Sequence, residues 1–135
     1  MAFLMHPRLA ADCLIVGDWA LSSVLLMNDA QYPWCILVPR REGVRDIHHL
    51  SVVDRQLLME ESCRLSVAME QLFRPVKMNV AALGNMVPQL HLHHIARFET
   101  DPAWPAPVWG KVPVRAYDDA AAMERVESLK QALDL

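Results

Sequence analysis

From Gln89 to His93 polar and apolar residues alternate one for one, and a period of two belongs to a half-buried β-strand, not to a helix. Successive side chains of a strand point to opposite faces, so Gln89, His91 and His93 share one face and Leu90, Leu92 and His94 the other. A chain carrying this run has to build a sheet, and has to place two imidazoles and an amide on one patch of it. The strand is expected over about Gln89–Phe98, paired with Met78–Leu83 across the turn-prone Gly84-Asn85.

The rest of the chain supplies partners for that sheet. Cys13–Val16 and Val24–Met27 are apolar, partly β-branched runs on either side of Gly17-Asp18, and read as a hairpin or two adjacent strands. After a connection through Asn28-Asp29 and Tyr32-Pro33, Trp34–Val38 gives a third strand, stopped by Pro39 and the turn Arg40-Arg41-Glu42-Gly43. Leu58, Leu65 and Leu72 recur at helical spacing behind a capping pair, Ser51 and Asp54, which predicts a long helix over about Val53–Phe73, ended by Pro75. Four prolines and two tryptophans in Asp101–Pro113 exclude a central strand there and predict an ordered extended loop. Ala120–Leu133 reads as a terminal helix, with Asp118-Asp119 suiting the positive end of its dipole. The expected class is α+β: about five mostly antiparallel strands, one long helix packed on them and a C-terminal helix.

At 135 residues, 53% hydrophobic and 21% charged, the chain fits one globular domain spanning 1–135, its core at about 10–110 and its C-terminal loop and helix at 101–135. A net charge of −3 argues against a nucleic-acid surface. No apolar run approaches the roughly 18 residues of a membrane helix, and the N-terminus lacks the pattern of a secretory signal, so a cytoplasmic protein without membrane contact is expected. Cys13, Cys35 and Cys63 form no C-x-x-C pair and read as small hydrophobes.

Side chains two apart on a strand lie close to 7 Å apart, near enough for a nucleophile and a proton donor to reach one phosphate. Imidazole is a good nucleophile at neutral pH and leaves phosphorus readily. A lone histidine on such a strand is more often simply packed; two on one face shift the balance toward chemistry. Zinc would need three or four ligands, the neighbourhood has no cysteine or carboxylate, and parity sends His94 to the other face, so no metal site is expected. Trp104, Trp109 and Tyr32 read as core or interface anchors, Arg97 as solvated or paired with an acid, and His6, His48 and His49 as surface residues. The methionines read as core fillers.

The segment from Gly84 to Arg97 resembles the histidine triad family, whose motif alternates three histidines with apolar residues on the last strand of the domain. Gln89 stands at the first histidine position, His91 at the second and His93 at the third; the likeness extends to Lys77-Met78-Asn79 and to Leu25–Pro39. It implies that His91 attacks the α-phosphorus of a nucleotide to give a nucleotidyl-histidine, that His93 contacts the phosphate or assists the leaving group, and that water then releases the nucleoside monophosphate. Asn85 and Asn79 fall where the family contacts phosphate or lines the site, and Asn28 near its ribose-binding position. Met86 replaces a serine or threonine that hydrogen-bonds the phosphate, and a thioether has no donor. The likeness implies a hydrolase or nucleotidyl transferase acting on dinucleoside polyphosphates or nucleoside phosphoramidates, as a homodimer. No cofactor is required, though Mg2+ could accompany a polyphosphate substrate. The alternative is a nucleotide-binding regulatory dimer with little or no turnover.

Overall fold

The computed structural model describes residues 2–135. In chain order it contains α1 (Pro7–Asp12), β1 (Cys13–Asp18), β2 (Ser22–Met27), β3 (Trp34–Pro39), a 3-10 turn (Ile47–His49), α2 (Val52–Phe73), β4 (Lys77–Ala81), β5 (Leu92–Arg97) and α3 (Asp119–Leu133). The strands form one sheet in the order β1-β2-β3-β5-β4, every neighbouring pair antiparallel. This is the α+β architecture expected, with the long helix on the sheet and a helix at the C-terminal end.

Local chemistry sets the helix limits. The Ser51 hydroxyl accepts the Asp54 N–H at the start of α2, and the helix ends at Arg74, whose left-handed backbone (φ 52°) precedes Pro75. Asp118 caps α3 in the same way through the Ala121 N–H. Leu58, Leu65 and Met69 of α2 and Leu129 and Leu133 of α3 pack with Val24, Leu26, Cys35, Leu37, Leu92 and Ala96 to form the core on one face of the sheet. Burying each such large side chain contributes about 1.5–3 kcal/mol. The other face carries a second core of Leu25, Trp34, Ile36, Val38 and Ile95, covered by Leu9 of α1 and by Ala103 and Val108 of the C-terminal loop. Because β2 and β3 are covered on both faces, their sequences are nearly continuous apolar runs.

Three differences from the sequence expectations have local causes. β1 runs on through Gly17-Asp18 instead of turning there: the register shifts between Ile15 and Gly17, and a Cβ on Gly17 would come within 3.1 Å of the Leu135 side chain. The close approach of the C-terminus, not a turn, uses this glycine. α1 is an added element, with Pro7 at its first turn and His6 as its cap, the His6 Nδ1 accepting the Arg8 N–H. His6 is thus a partly buried structural residue and not a surface one. Finally, β5 begins at Leu92, not Gln89, and β4 ends at Ala81, not Leu83. The Leu90 N–H turns away to the Val44 carbonyl, and residues 82–91 form a loop beside the sheet.

Candidate active site

His93 lies near the start of β5 on the face away from α2, opposite Ile36 of β3 and Ala81 of β4. The indole of Trp34 donates its N–H to His93 Nδ1 at 3.0 Å. An indole N–H can only donate, so Nδ1 is an acceptor and the neutral ring carries its proton on Nε2. Burial, reinforced by the neighbouring His91 and His94, pushes the His93 imidazole down to about 3. At neutral pH it is an uncharged hydrogen-bond donor.

His91 sits two residues upstream, where the chain has left the ladder, yet its ring remains on the same side as that of His93: the two centroids are 4.9 Å apart at 73°. His91 Nδ1 is 2.7 Å from the Gln89 carbonyl, which can only accept, so Nδ1 carries the proton and Nε2 is left with a lone pair. Both rings line a cavity of about 310 Å³ between α1 and the 82–91 loop. Trp109 lines it too, its ring 5.0 Å from His93 and 5.8 Å from Trp34.

Of the other residues expected at the site, Asn85 lines this cavity, on a loop turned by Gly84 at φ 80°. Three side chains do not join it. The Gln89 amide is occupied by the N-terminal segment, accepting the His6 N–H at 2.9 Å and donating to the Leu4 carbonyl at 2.8 Å. Asn79 Oδ1 accepts from Arg97, and Asn28 Oδ1 accepts the Tyr117 N–H at 2.9 Å, tying β2 to the segment before α3. Gln89 reaches the site only through its backbone carbonyl.

Arg97 shares the parity of His91 and His93 but is buried in a bidentate pair with Asp101, at 2.9 and 3.1 Å, and also donates to the Ala106 carbonyl. Burial opposes ionisation of Asp101, but hydrogen bonds from Arg97 and from the Phe98 and Trp104 N–H groups outweigh it and hold the carboxyl below its ordinary range. This pair fixes the loop that carries Trp109. His94, on the opposite face, is 2.7 Å from the Ser62 hydroxyl of α2, and burial pushes it down to about 4. Parity therefore separates it from His91 and His93 as expected. Among the described residues, the grouping with metal-ligand spacing is Asp46, His48 and His49, all exposed.

Among the residues that sequence reasoning did not place here are Trp34, Trp109, Arg8, Leu9 and Asp12. Trp109, expected as a core or interface anchor, is 37% exposed and forms a wall of the cavity. The signal for Trp34 lay in the pairing of β3 with β5, which sets Trp34 against Ile95, one pleat from His93. That register joins strands about sixty residues apart in sequence and is not written in either strand alone.

A HIT domain family model matches residues 8–100. The fold is similar to that of a histidine triad protein from Marinobacter aquaeolei VT8, with a TM-score of 0.97 and 51% identity over 99% of this chain and 98% of that one. It is also similar to a histidine triad protein from Bradyrhizobium japonicum, with a TM-score of 0.96 and 43% identity over 98% and 99% of the two chains. A third, from Sinorhizobium meliloti 1021, superposes with a TM-score of 0.94 at 34% identity over 97% of each chain. Among curated proteins no sequence gives a significant match.

Proposed function

Because the chain belongs to the HIT domain family, a family of nucleotide-binding hydrolases and transferases, we propose that it is a nucleotide hydrolase or nucleotidyl transferase with His91 as its nucleophile. The observation that carries this reading is the His91 ring itself. Its Nδ1–H is anchored on the Gln89 carbonyl, which aims the bare Nε2 from a fixed ring, and the ring stands against His93 on the wall of a cavity. His91 Nε2 attacks the α-phosphorus, and the Nε2–H of His93 and the Asn85 amide offer hydrogen bonds to its oxygens. The apolar walls, with Leu9, Met27, Val87 and Trp109, suit a nucleoside. Water then releases the nucleoside monophosphate from His91.

No resident cofactor enters this scheme, and a divalent cation would arrive with a polyphosphate substrate. The same reading includes a homodimer and a cytoplasmic setting. β4 is an open edge of the sheet with Val80 exposed, and the three cysteines are unpaired. No helix among the described residues is long and apolar enough to cross a membrane.

The test is release of AMP from diadenosine tetraphosphate and from adenosine phosphoramidate, with and without magnesium, by wild type and His91→Ala. His91→Ala is expected to lose at least about a thousand-fold in turnover, as removal of a nucleophile does, while keeping its fold. Release unchanged in the variant would sink the mechanism. Nucleotide binding with no release by wild type would favour the regulatory dimer, the reading that Met86, a cavity residue without a donor, supports.

A further inference from the structure

Away from the cavity of His91 and His93, Arg125 of α3 is a half-buried cation without a counter-charge. Ala121, Arg125 and Ser128 share one face of that helix and form a wall of a pocket of about 200 Å³, closed on the other side by Phe73 of α2 and by Tyr117. The Arg125 guanidinium stacks 4.6 Å from the centre of the Phe73 ring and 5.9 Å from that of Tyr117. Aromatic rings hold a guanidinium by its faces and leave its N–H groups, which lie in the plane, free to donate. Among the described residues no carboxylate or carbonyl takes them up, and Glu124, the acid lining this pocket, is exposed and lies beyond ion-pair distance of Arg125.

Two hydroxyl-bearing residues line the same pocket. The Tyr117 hydroxyl is shielded from solvent and has no hydrogen-bond partner, a state that folded proteins rarely leave without a ligand or water. Its residue is held from behind by the bond of the Tyr117 N–H to Asn28 Oδ1. Burial pushes the phenol up, against the opposing charge of Arg125, so the hydroxyl keeps its proton at neutral pH. Ser128, one turn after Arg125, brings a second hydroxyl. We infer that this pocket is a binding site for a small tetrahedral oxyanion of the phosphate class, held by the Arg125 fork and by the Tyr117 and Ser128 hydroxyls. A planar carboxylate would be satisfied by the fork alone, whereas a phosphate carries further oxygens for the two hydroxyls. The volume falls below the roughly 300–1,000 Å³ of pockets that enclose drug-sized ligands, so it takes inorganic phosphate, or the phosphate of a mononucleotide whose nucleoside stays outside. None of its residues lines the His91 cavity.

The experiment titrates inorganic phosphate and, separately, AMP into isotope-labelled protein at constant ionic strength, and follows the NMR signals of the Arg125 Nε–H and the Ser128 amide beside those of Asn85 and His93. Phosphate is expected to shift the Arg125 and Ser128 signals saturably, with a Kd on the order of 1 mM. Arg125→Gln should weaken this binding at least about tenfold, through loss of the charge-assisted bonds. Tyr117→Phe, which keeps the ring beside the guanidinium, should weaken it about threefold to tenfold. The same shifts with AMP support a site that accepts phosphate monoesters, and shifts with inorganic phosphate alone support one for the free anion. Shifts confined to Asn85 and His93, shifts that rise without saturating, or an affinity unchanged in folded Arg125→Gln overturn the site. If Arg125→Gln does not fold, Tyr117→Phe and Ser128→Ala decide the matter with the stacked guanidinium in place, and unchanged affinity in both overturns the pocket as built.

Discussion

Gln89 serves the site from two ends. Its carbonyl fixes the His91 ring, and its side chain holds Leu4 and His6, the stretch that leads into α1 and so places Arg8 and Leu9 on the cavity wall. An amide does this better than an imidazole, because it offers a donor and an acceptor side by side whatever the pH. Gln89→Ala keeps the carbonyl and loses both side-chain bonds. We expect about 1–2 kcal/mol less stability from the two bonds, a several-fold rise in KM as α1 loosens, and kcat nearly unchanged. Urea unfolding and steady-state kinetics measure these separately. A large fall in kcat at constant KM would instead place the Gln89 amide on the reacting phosphate.

The loop after β5 is held by one buried ion pair. Arg97 and Asp101 are almost wholly buried, and the same guanidinium bonds Ala106 and Asn79, so the loop is clamped to the last strand a few residues before Trp109. Asp101→Asn keeps the shape and leaves the guanidinium short of a counter-charge, at a cost of about 3–5 kcal/mol. It should also raise KM more than it lowers kcat, because Trp109 moves while His91 keeps its anchor; stability unchanged within about 0.5 kcal/mol would show the clamp to be idle. The elements with a strong local signal were legible in the sequence: α2 from its cap and spacing, α3 with the acidic pair at its start, β2 and β3 from apolar runs, and the shared face of His91 and His93 from alternation. α1 has only six residues, too few for a periodic signal, and the start of β5 depends on the Leu90 to Val44 bond, which no local pattern announces. For the same reason Asn79 and Asn28 were legible as polar residues near the site but not as partners of Arg97 and Tyr117, which reach them from distant parts of the chain.

For the molecule as a whole, folding encloses two uncharged histidines on opposite faces of one strand. The His94 ring is bounded by the Leu92 carbonyl and the Ser62 hydroxyl, that of His93 by Trp34, and burial holds them at about 4 and about 3, against an ordinary value of 6.5. A histidine whose pKa is depressed by folding binds fewer protons folded than unfolded between the two values, so stability is full above about 6.5 and falls as pH drops toward the folded value. At pH 5 this amounts to a loss on the order of 2 kcal/mol for each ring. Asp101 acts elsewhere on the scale: its carboxyl is held below its ordinary 3.8, so its contribution is lost only under more acid conditions. Urea denaturation at pH 7.5, 6 and 5 should therefore show a steady decline carried by the histidines, and His94→Gln should remove about half of its slope. Stability that stays level from pH 7.5 to 5 would mean that both rings open to solvent or take up protons within the fold.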